Sequence, residues 1–327
     1  MIKHPFQSAI PLSLCLLLSG WPLLGQGQPL ATVNQNPLLQ SVALPTPASS
    51  QLLAQGKHAL QLRHDWSNTL NVERNRLEEL LIDSESQQTT LRFDYGLNSH
   101  WNLALSLRYL TLSAGQLDAF IDDFHDLFGF PQGARPFYSR DQFQLLYQRG
   151  GIESVNITTA QSGVQDLRVA VGTPLQQTPK HQSTLWFELK LPSNQSALFN
   201  NNTVSLSSQW SQNNQWNSHW RSQHSLGLLW LEQGHFLPKL QNSLIGFGSS
   251  GLSYRYSPLL EFTLQLDGHS ALFNKTDLTF LGSSVQLAMG GSLYFSAKQR
   301  LDIAVVEDIQ VGASPDVNFH LAWNITN

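Results

Sequence analysis

From His58 onward, apolar residues return at every second position in one segment after another. Leu60, Leu62 and Trp66 share one parity, while Gln61, Arg63, Asp65 and Ser67 share the other. Leu91, Phe93, Tyr95 and Leu97 likewise stand against Arg92 and Asp94, and Trp101, Leu103, Leu105, Leu107 and Tyr109 follow after a short turn. Successive side chains of a strand point to opposite faces, so the pattern describes sheet with one apolar and one polar face. Only 13% of the 327 residues are charged, where a soluble domain carries about a quarter. No run of about eighteen apolar residues follows the N-terminus, which excludes a bundle of membrane-spanning helices. An apolar sheet face in a chain this poor in charge is satisfied by lipid, and a sheet in lipid has to close on itself. The fold class expected is therefore all-β, a transmembrane antiparallel up-and-down β-barrel.

The alternation continues through 143–147, 155–159, 167–171, 185–191, 204–210, 220–230, 244–256, 260–266, 285–295, 301–305 and 317–325. With the first three segments this makes about fourteen strands, twelve being the neighbouring even count, within the range of bacterial outer-membrane barrels. Connections at Asn98, Gly150, Asn213, Ser257-Pro258 and Lys298 read as short. Those around Arg74, Ala119, Asn194, Gly234, Asn274 and Gly312 read as longer, which assigns the first set to the periplasm and the second to the outside. Trp101, Trp210, Trp216, Trp220 and Tyr256 by the short turns, and Trp66, Tyr109 and Trp230 by the loops, fit two interfacial girdles.

Ahead of the barrel, Lys3 and His4 followed by the apolar stretch 9–24 read as a secretory signal over 1–27. The single cysteine, Cys15, falls inside it, so the exported chain has no disulfide or thiol-bound metal. Residues 28–56 are rich in Pro, Gln, Ser and Asn and read as a flexible periplasmic leader, with threading into the barrel interior as the other possibility. Net charge is −4 with no basic stripe, which gives nucleic acid no purchase.

One segment breaks the period of two. In 115–136, Leu117, Phe120, Ile121, Phe124, Leu127 and Phe128 recur at helical spacing, and Asp118, Asp122, Asp123 and Asp126 fill the other side. This predicts an amphipathic helix inside a long external loop spanning 113–140, ended by Gly129, Pro131 and Gly133. Its apolar stripe has to bury against the barrel mouth, the lipid interface or a ligand. Leu117, Asp118, Phe120, Ile121, Asp122, Phe124, His125, Phe128 and Arg135 are the candidate gate or ligand residues. Asp118, Asp122 and His125 are also a weak divalent-cation candidate, weighed against a plainly solvated acidic face.

On the polar parity, Arg63/Asp65, Arg92/Asp94, Asp166/Arg168 and Glu188/Lys190 place opposite charges two residues apart on one strand face, so ion pairs across the lumen wall are expected. Ser222 and His224 fall together on the lipid-facing parity. That is the spacing a barrel-wall lipid hydrolase would use, but no orienting third residue accompanies them, and an interfacial His is the ordinary reading. Gly246-Phe-Gly248-Ser-Ser-Gly251 matches the dinucleotide fingerprint only formally, because a strand follows it rather than a helix. No cofactor is implied.

Three stretches carry a family likeness. Gly115-x-x-Asp118-x-Phe120-Ile121, Phe124-His125-Asp126-x-Phe128-Gly129 and Pro131-x-Gly133-x-Arg135, joined by Gly163-x-x-Asp166-Leu167-Arg168 and Lys190-Leu191-Pro192, resemble the signature of an uncharacterised family of Gram-negative outer-membrane proteins, the domain-of-unknown-function family DUF3187. Val164-Gln165 stands where that family tends to carry a glycine before the Asp. The resemblance implies the cell outer membrane and the barrel fold, with outer-membrane lipid and the barrel-assembly machinery as partners. It implies no activity. The charged lumen parity and the helix stripe point to a passive channel or uptake barrel for a small solute, apolar solutes included, with the helix as gate. A closed structural or surface-interaction barrel and a lipid hydrolase are the alternatives.

Overall fold

In the computed structural model, residues 27–42, 44–129, 132–192, 203–310 and 312–327 are described; the signal reading over 1–27 falls outside them but for its last residue. Fifteen strands and one α-helix follow in order: β1 (His58–Arg74), β2 (Glu78–Gly96), β3 (Asn102–Ser113), α1 (Asp118–Phe128), β4 (Gln144–Arg149), β5 (Ile152–Ile157), β6 (Gln161–Val164), β7 (Leu167–Gln177), β8 (His181–Leu191), β9 (Ser205–Gln215), β10 (Trp220–Leu231), β11 (Leu244–Arg255), β12 (Leu260–His269), β13 (Ser284–Ser296), β14 (Gln299–Asp308) and β15 (Val317–Thr326). All pairings are antiparallel, and β1 bonds to both β2 and β15, so the sheet closes. Twelve strands form the barrel and three short ones are extra.

The three extras account for the difference from fourteen. β2 pairs with β3 over Glu85–Gly96 and with β4 over Glu78–Asp83, so β4 resumes the stave that β3 leaves, and α1 is inserted at the break. β5 returns beside β4, and β6 and β7 descend beside β3. Tyr109 faces Val164 while Ser106 faces Arg168, three steps against four, which is a bulge at Gln165 and Asp166. The Gly150 turn consequently lies at the outer tip, where its N–H donates to the carbonyl of Leu77 at 2.7 Å; it is not periplasmic as its length suggested. The outer connection after Arg74 is itself tight, residues 75–77, and Asn213 lies within β9, the turn falling at 216–219.

Along every stave the two faces separate as the period of two requires. Leu62, Leu91, Leu107, Leu206, Leu226, Phe262, Leu264, Leu321 and Trp323 are all exposed on the outer face, an apolar band that a water-soluble sheet does not leave open. Trp101, Trp216, Trp220, Tyr256 and Phe295 ring the end with the short turns, and Tyr109 and Trp230 stand toward the other end. No helix among the described residues is long and apolar enough to cross a membrane; the strands do so.

Inside the barrel is the leader. Residues 27–42 and 44–53 run up one side of the lumen, turn at a short 3-10 helix, Pro37–Leu39, and descend to the start of β1. Gln223 donates to the carbonyl of Gly27 near the periplasmic rim, Asn36 donates to the carbonyl of Phe280 among the outer loops, and Trp186 donates to that of Ser49 on the way back. The expectation of a flexible periplasmic leader over 28–56 is thus corrected. Its Asn, Gln and Ser serve as partners for inward polar side chains, while Leu30, Leu38, Leu39, Val42 and Leu44 are buried. Treating the refolded protein with proteinase K should leave residues 28–53 intact for as long as the barrel resists heat unfolding on a gel; early cleavage there would contradict the lumen placement.

Candidate functional site

A hairpin can stay in a charged lumen only if its backbone polar groups find partners. Arg63, on β1, donates to the carbonyl of Ala31 at 2.8 Å, to Gln88 and to Thr90, and pairs with Asp65 at 2.9 Å. Asp65 in turn accepts from His320 Nδ1 at 2.8 Å. On the opposite wall Gln265 donates to the carbonyl of Leu30, and Thr32 donates to Asp267. The descending arm meets the bulge: Gln88 donates to both Gln40 and Gln165, and Gln165 donates to the carbonyl of Gln40 at 3.0 Å. Gln165 thus ties the bulge to the plug.

The four charge pairs expected at i, i+2 lie on the lumen face. Arg63–Asp65 and Arg92–Asp94 bond within their own strands, the second through two contacts at 2.7 and 2.8 Å. Asp166/Arg168 and Glu188/Lys190 bond across β7 and β8 instead, Arg168 to Glu188 at 2.7 Å and Lys190 to Asp166 at 2.5 Å. Pairing permits burial, since an unpartnered charge there would be several kcal/mol worse. Sequence reasoning missed Arg221 and Arg255 converging on Glu261, Arg300 on Asp302, and Arg108 reaching the carbonyl of Leu44 at 3.5 Å. Arg300/Asp302 carried the same two-residue signal; Arg108 carried none, having no acid beside it.

Toward the outside the lumen changes character. Leu38, Leu39, Val42 and Leu44 of the plug pack with Leu80, Ile82, Leu110, Leu112, Leu145 and Tyr147 of the wall and with Phe236, Leu240, Phe273, Phe280 and Leu281 from inward-folded loops. This apolar cap closes the outer end. At the periplasmic end a cavity of about 330 Å3 opens between the two arms and the wall, bordered by Arg92, Asp94, Trp186, Tyr294 and Arg300.

α1 does not enter the lumen, which corrects its reading as a gate. Leu117 and Ile121 pack on Val317, Trp66, Val305 and Phe319, all on the outward parity, so the helix lies against the outside of β1, β14 and β15. A polar clasp fixes it there. Arg135 pairs with Asp118 at 3.1 Å, Asp122 at 3.5 Å and Asp316 at 2.5 Å, and also donates to Asn68. Glu85 accepts from Trp66 and from the Gln116 and Leu117 amides ahead of the helix, where the positive helix end favours a carboxylate. Burial works against the charge on Arg135, but Asp316 and Asp118 more than offset it and the guanidinium pKa is raised. Phe120 touches Phe319 edge-on and stays half exposed, toward lipid.

With Asp118 and Asp122 held by Arg135, and Asp122 also by Arg140 at 2.7 Å, the carboxylates of the cation candidate are already neutralised; the side chains of Phe124, His125 and Phe128 lie outside the described residues. Among the described residues no group of three metal-ligating side chains occurs. The Ser222/His224 pair is on the lipid-facing parity, but His224 Nδ1 lies 3.1 Å from Ser250 Oγ across β11, so the hydroxyl it engages is not that of Ser222.

A closed antiparallel barrel with an apolar outer band and a polar inner wall is an outer-membrane β-barrel protein. The chain belongs to the family described as protein of unknown function (DUF3187), whose model it matches over residues 22–326. Its fold is similar to that of the COG4313 outer membrane channel from Pseudomonas putida F1, with TM-score 0.58 and 12% identity over 87% of this chain and 100% of that one. The Ralstonia pickettii toluene transporter TbuX is a more distant likeness, with TM-score 0.41 and 12% identity over 92% of this chain and 96% of that one. Comparison with curated proteins gives no match.

Two substitutions separate the plug from the clasp. Arg63→Met should weaken the plug by about 1.5–2 kcal/mol, because the Ala31 carbonyl loses its charged donor while Asp65 keeps His320. In an Ala31→Cys background, thiol labelling should then speed up more than tenfold; unchanged labelling would mean that Arg63 does not hold the hairpin. Arg135→Gln should free α1 by more, about 3 kcal/mol, because three carboxylates lose their common partner. Amide exchange over 117–128 would rise while the barrel strands stay protected, and parallel loss of both would mean that the clasp supports the wall itself.

Proposed function

We propose that the protein is a passive channel or uptake barrel for a small solute with apolar character, held closed by its own N-terminal hairpin. The observation that carries this reading is the hairpin's place in the lumen. It occupies the axis of a finished barrel, tied to the wall by single hydrogen bonds and an apolar tip, so the wall does not need it to stay closed as a sheet. A conducting path would run where the hairpin now lies, past paired charges in the periplasmic half and apolar side chains in the outer half. The likeness in fold to an outer-membrane channel supports the reading. The solute is assigned apolar character because the outer entrance is lined by Leu and Phe, which offer a charged or sugar-like solute no replacement for its water. The lipid-hydrolase alternative draws no support from the Ser222/His224 geometry.

A second reading keeps one observation in its favour: the charges are paired and the lumen filled, as a purely structural barrel would require. Planar-bilayer conductance separates the two. Refolded protein should be silent or nearly so, a version lacking residues 28–53 should show discrete steps, and a version lacking 116–142 should behave like the intact chain. A folded barrel that stays silent without residues 28–53 would favour the structural reading.

A further inference from the structure

The outer loops that close the lumen also hold three cations together. The loop 232–243 and the loop 270–283 are zipped to each other: Asn274 N–H donates to the Leu240 carbonyl at 2.7 Å, Asn242 N–H to that of Leu272 at 2.8 Å, and Gln241 bridges Phe273. Beside them stands the tip of the β4–β5 hairpin. Arg149, Lys239 and Lys275 border one cavity of about 550 Å3 between these three elements, and no carboxylate lines it; Pro238 and Leu240 supply its apolar side. Among the described residues Lys239 and Lys275 make no ion pair, and the ion pair that Arg149 makes is with Glu78, at 3.9 Å. Glu78 is itself engaged, accepting from Tyr147 at 2.7 Å and from Thr276 at 3.1 Å. Two of the few left-handed non-glycine residues, Leu237 at φ 45° and Lys275 at φ 58°, sit in these same loops. Strained backbone of this kind persists where surrounding contacts hold it in place.

Three cations bordering a cavity whose lining holds no carboxylate give it a positive local field that favours an anion, in a chain whose net charge is −4. Directly below the cavity the apolar cap begins, since Leu240 belongs to both. We infer that this cavity is an entrance site for amphipathic carboxylates, the head group held by Arg149, Lys239 and Lys275 and the apolar body laid on Pro238 and Leu240. The inference rests on the channel reading and narrows its solute to small apolar acids. Binding also explains how a solute reaches the cap: an apolar tail arriving at Leu240 competes for the surface on which Phe273 and the plug tip pack.

The test compares hexanoate with 1-hexanol by calorimetry on the refolded full chain. Hexanoate should bind, weaken as salt screens the cations, and lose at least tenfold in affinity in the triple variant Arg149→Gln, Lys239→Gln, Lys275→Gln. Lysine-to-arginine changes at 239 and 275 should retain it. Absence of hexanoate binding to the intact protein, equal binding of acid and alcohol, or undiminished hexanoate binding by the triple variant would each overturn the site. Heat-modifiable migration of the variant verifies that the barrel has folded. Failure of the channel reading would be seen separately, as silence of the barrel lacking residues 28–53, whatever the calorimetry gives.

Discussion

Every other feature depends on the ladder between β1 and β15. In hydrocarbon no backbone N–H or C=O can turn to water, so an open sheet edge is not tolerated and the last strand has to find the first. Pairing of Ala59 through Asn68 with Thr326 through Val317 makes that closure. Once it is made, the strand number sets the interior. Eight strands leave just enough room for side chains, and twelve leave more than inward side chains can fill. The excess is filled by the leader, and the periplasmic end, where β1 begins, is the only place from which a segment immediately ahead of β1 can enter.

The two halves of the lumen hold the plug by different physics. From the periplasmic rim up to the bulge, Arg63, Gln165, Gln265 and Trp186 offer directed hydrogen bonds to a backbone without regular structure, and Gln88 offers one to the Gln40 side chain, each worth about 1–2 kcal/mol net because water would satisfy the same groups in the open state. At the outer end, Leu38 and Leu44 are buried among Phe280, Leu110 and Ile245, and burying each such side chain contributes about 1.5–3 kcal/mol. The polar half fixes register and the apolar half supplies most of the hold.

The period of two was enough to place the staves, their faces and the charged lumen parity, because burial on one side and lipid on the other leaves no freedom in register. Less was legible at the outer rim. Residues 143–159 alternate like any transmembrane strand, but β4 and β5 extend the wall beyond the outer end of β3, and alternation alone says nothing about height. The leader stayed open between a flexible segment and a threaded one because its Gln, Asn, Ser and Pro composition is shared by disordered tails and by plugs that bond to a polar wall. The difference lay in the apolar side chains Leu30, Leu38, Leu39, Val42 and Leu44, which the structure buries. For α1 the amphipathic spacing was plain; which apolar surface it met was not, because Trp66, Val317 and Phe319 look like any lipid-facing residues until the helix covers them.

That covering has its own logic. Inserting α1 between β3 and β4 interrupts a stave at the level where β2 passes from one partner to the next, and the inserted chain has to leave the wall without exposing its polar backbone to lipid. Glu85, Asn68 and Arg135 receive it: the carboxylate takes the amides ahead of the helix, and the guanidinium gathers Asp118, Asp122 and Asp316 beneath it. Asp118 and Arg135, two residues on which the resemblance in sequence rests, are thus among the contacts by which this barrel wall carries a helix on its outside. Those contacts hold the insertion against the outside of the wall, apart from the lumen that the N-terminal hairpin fills.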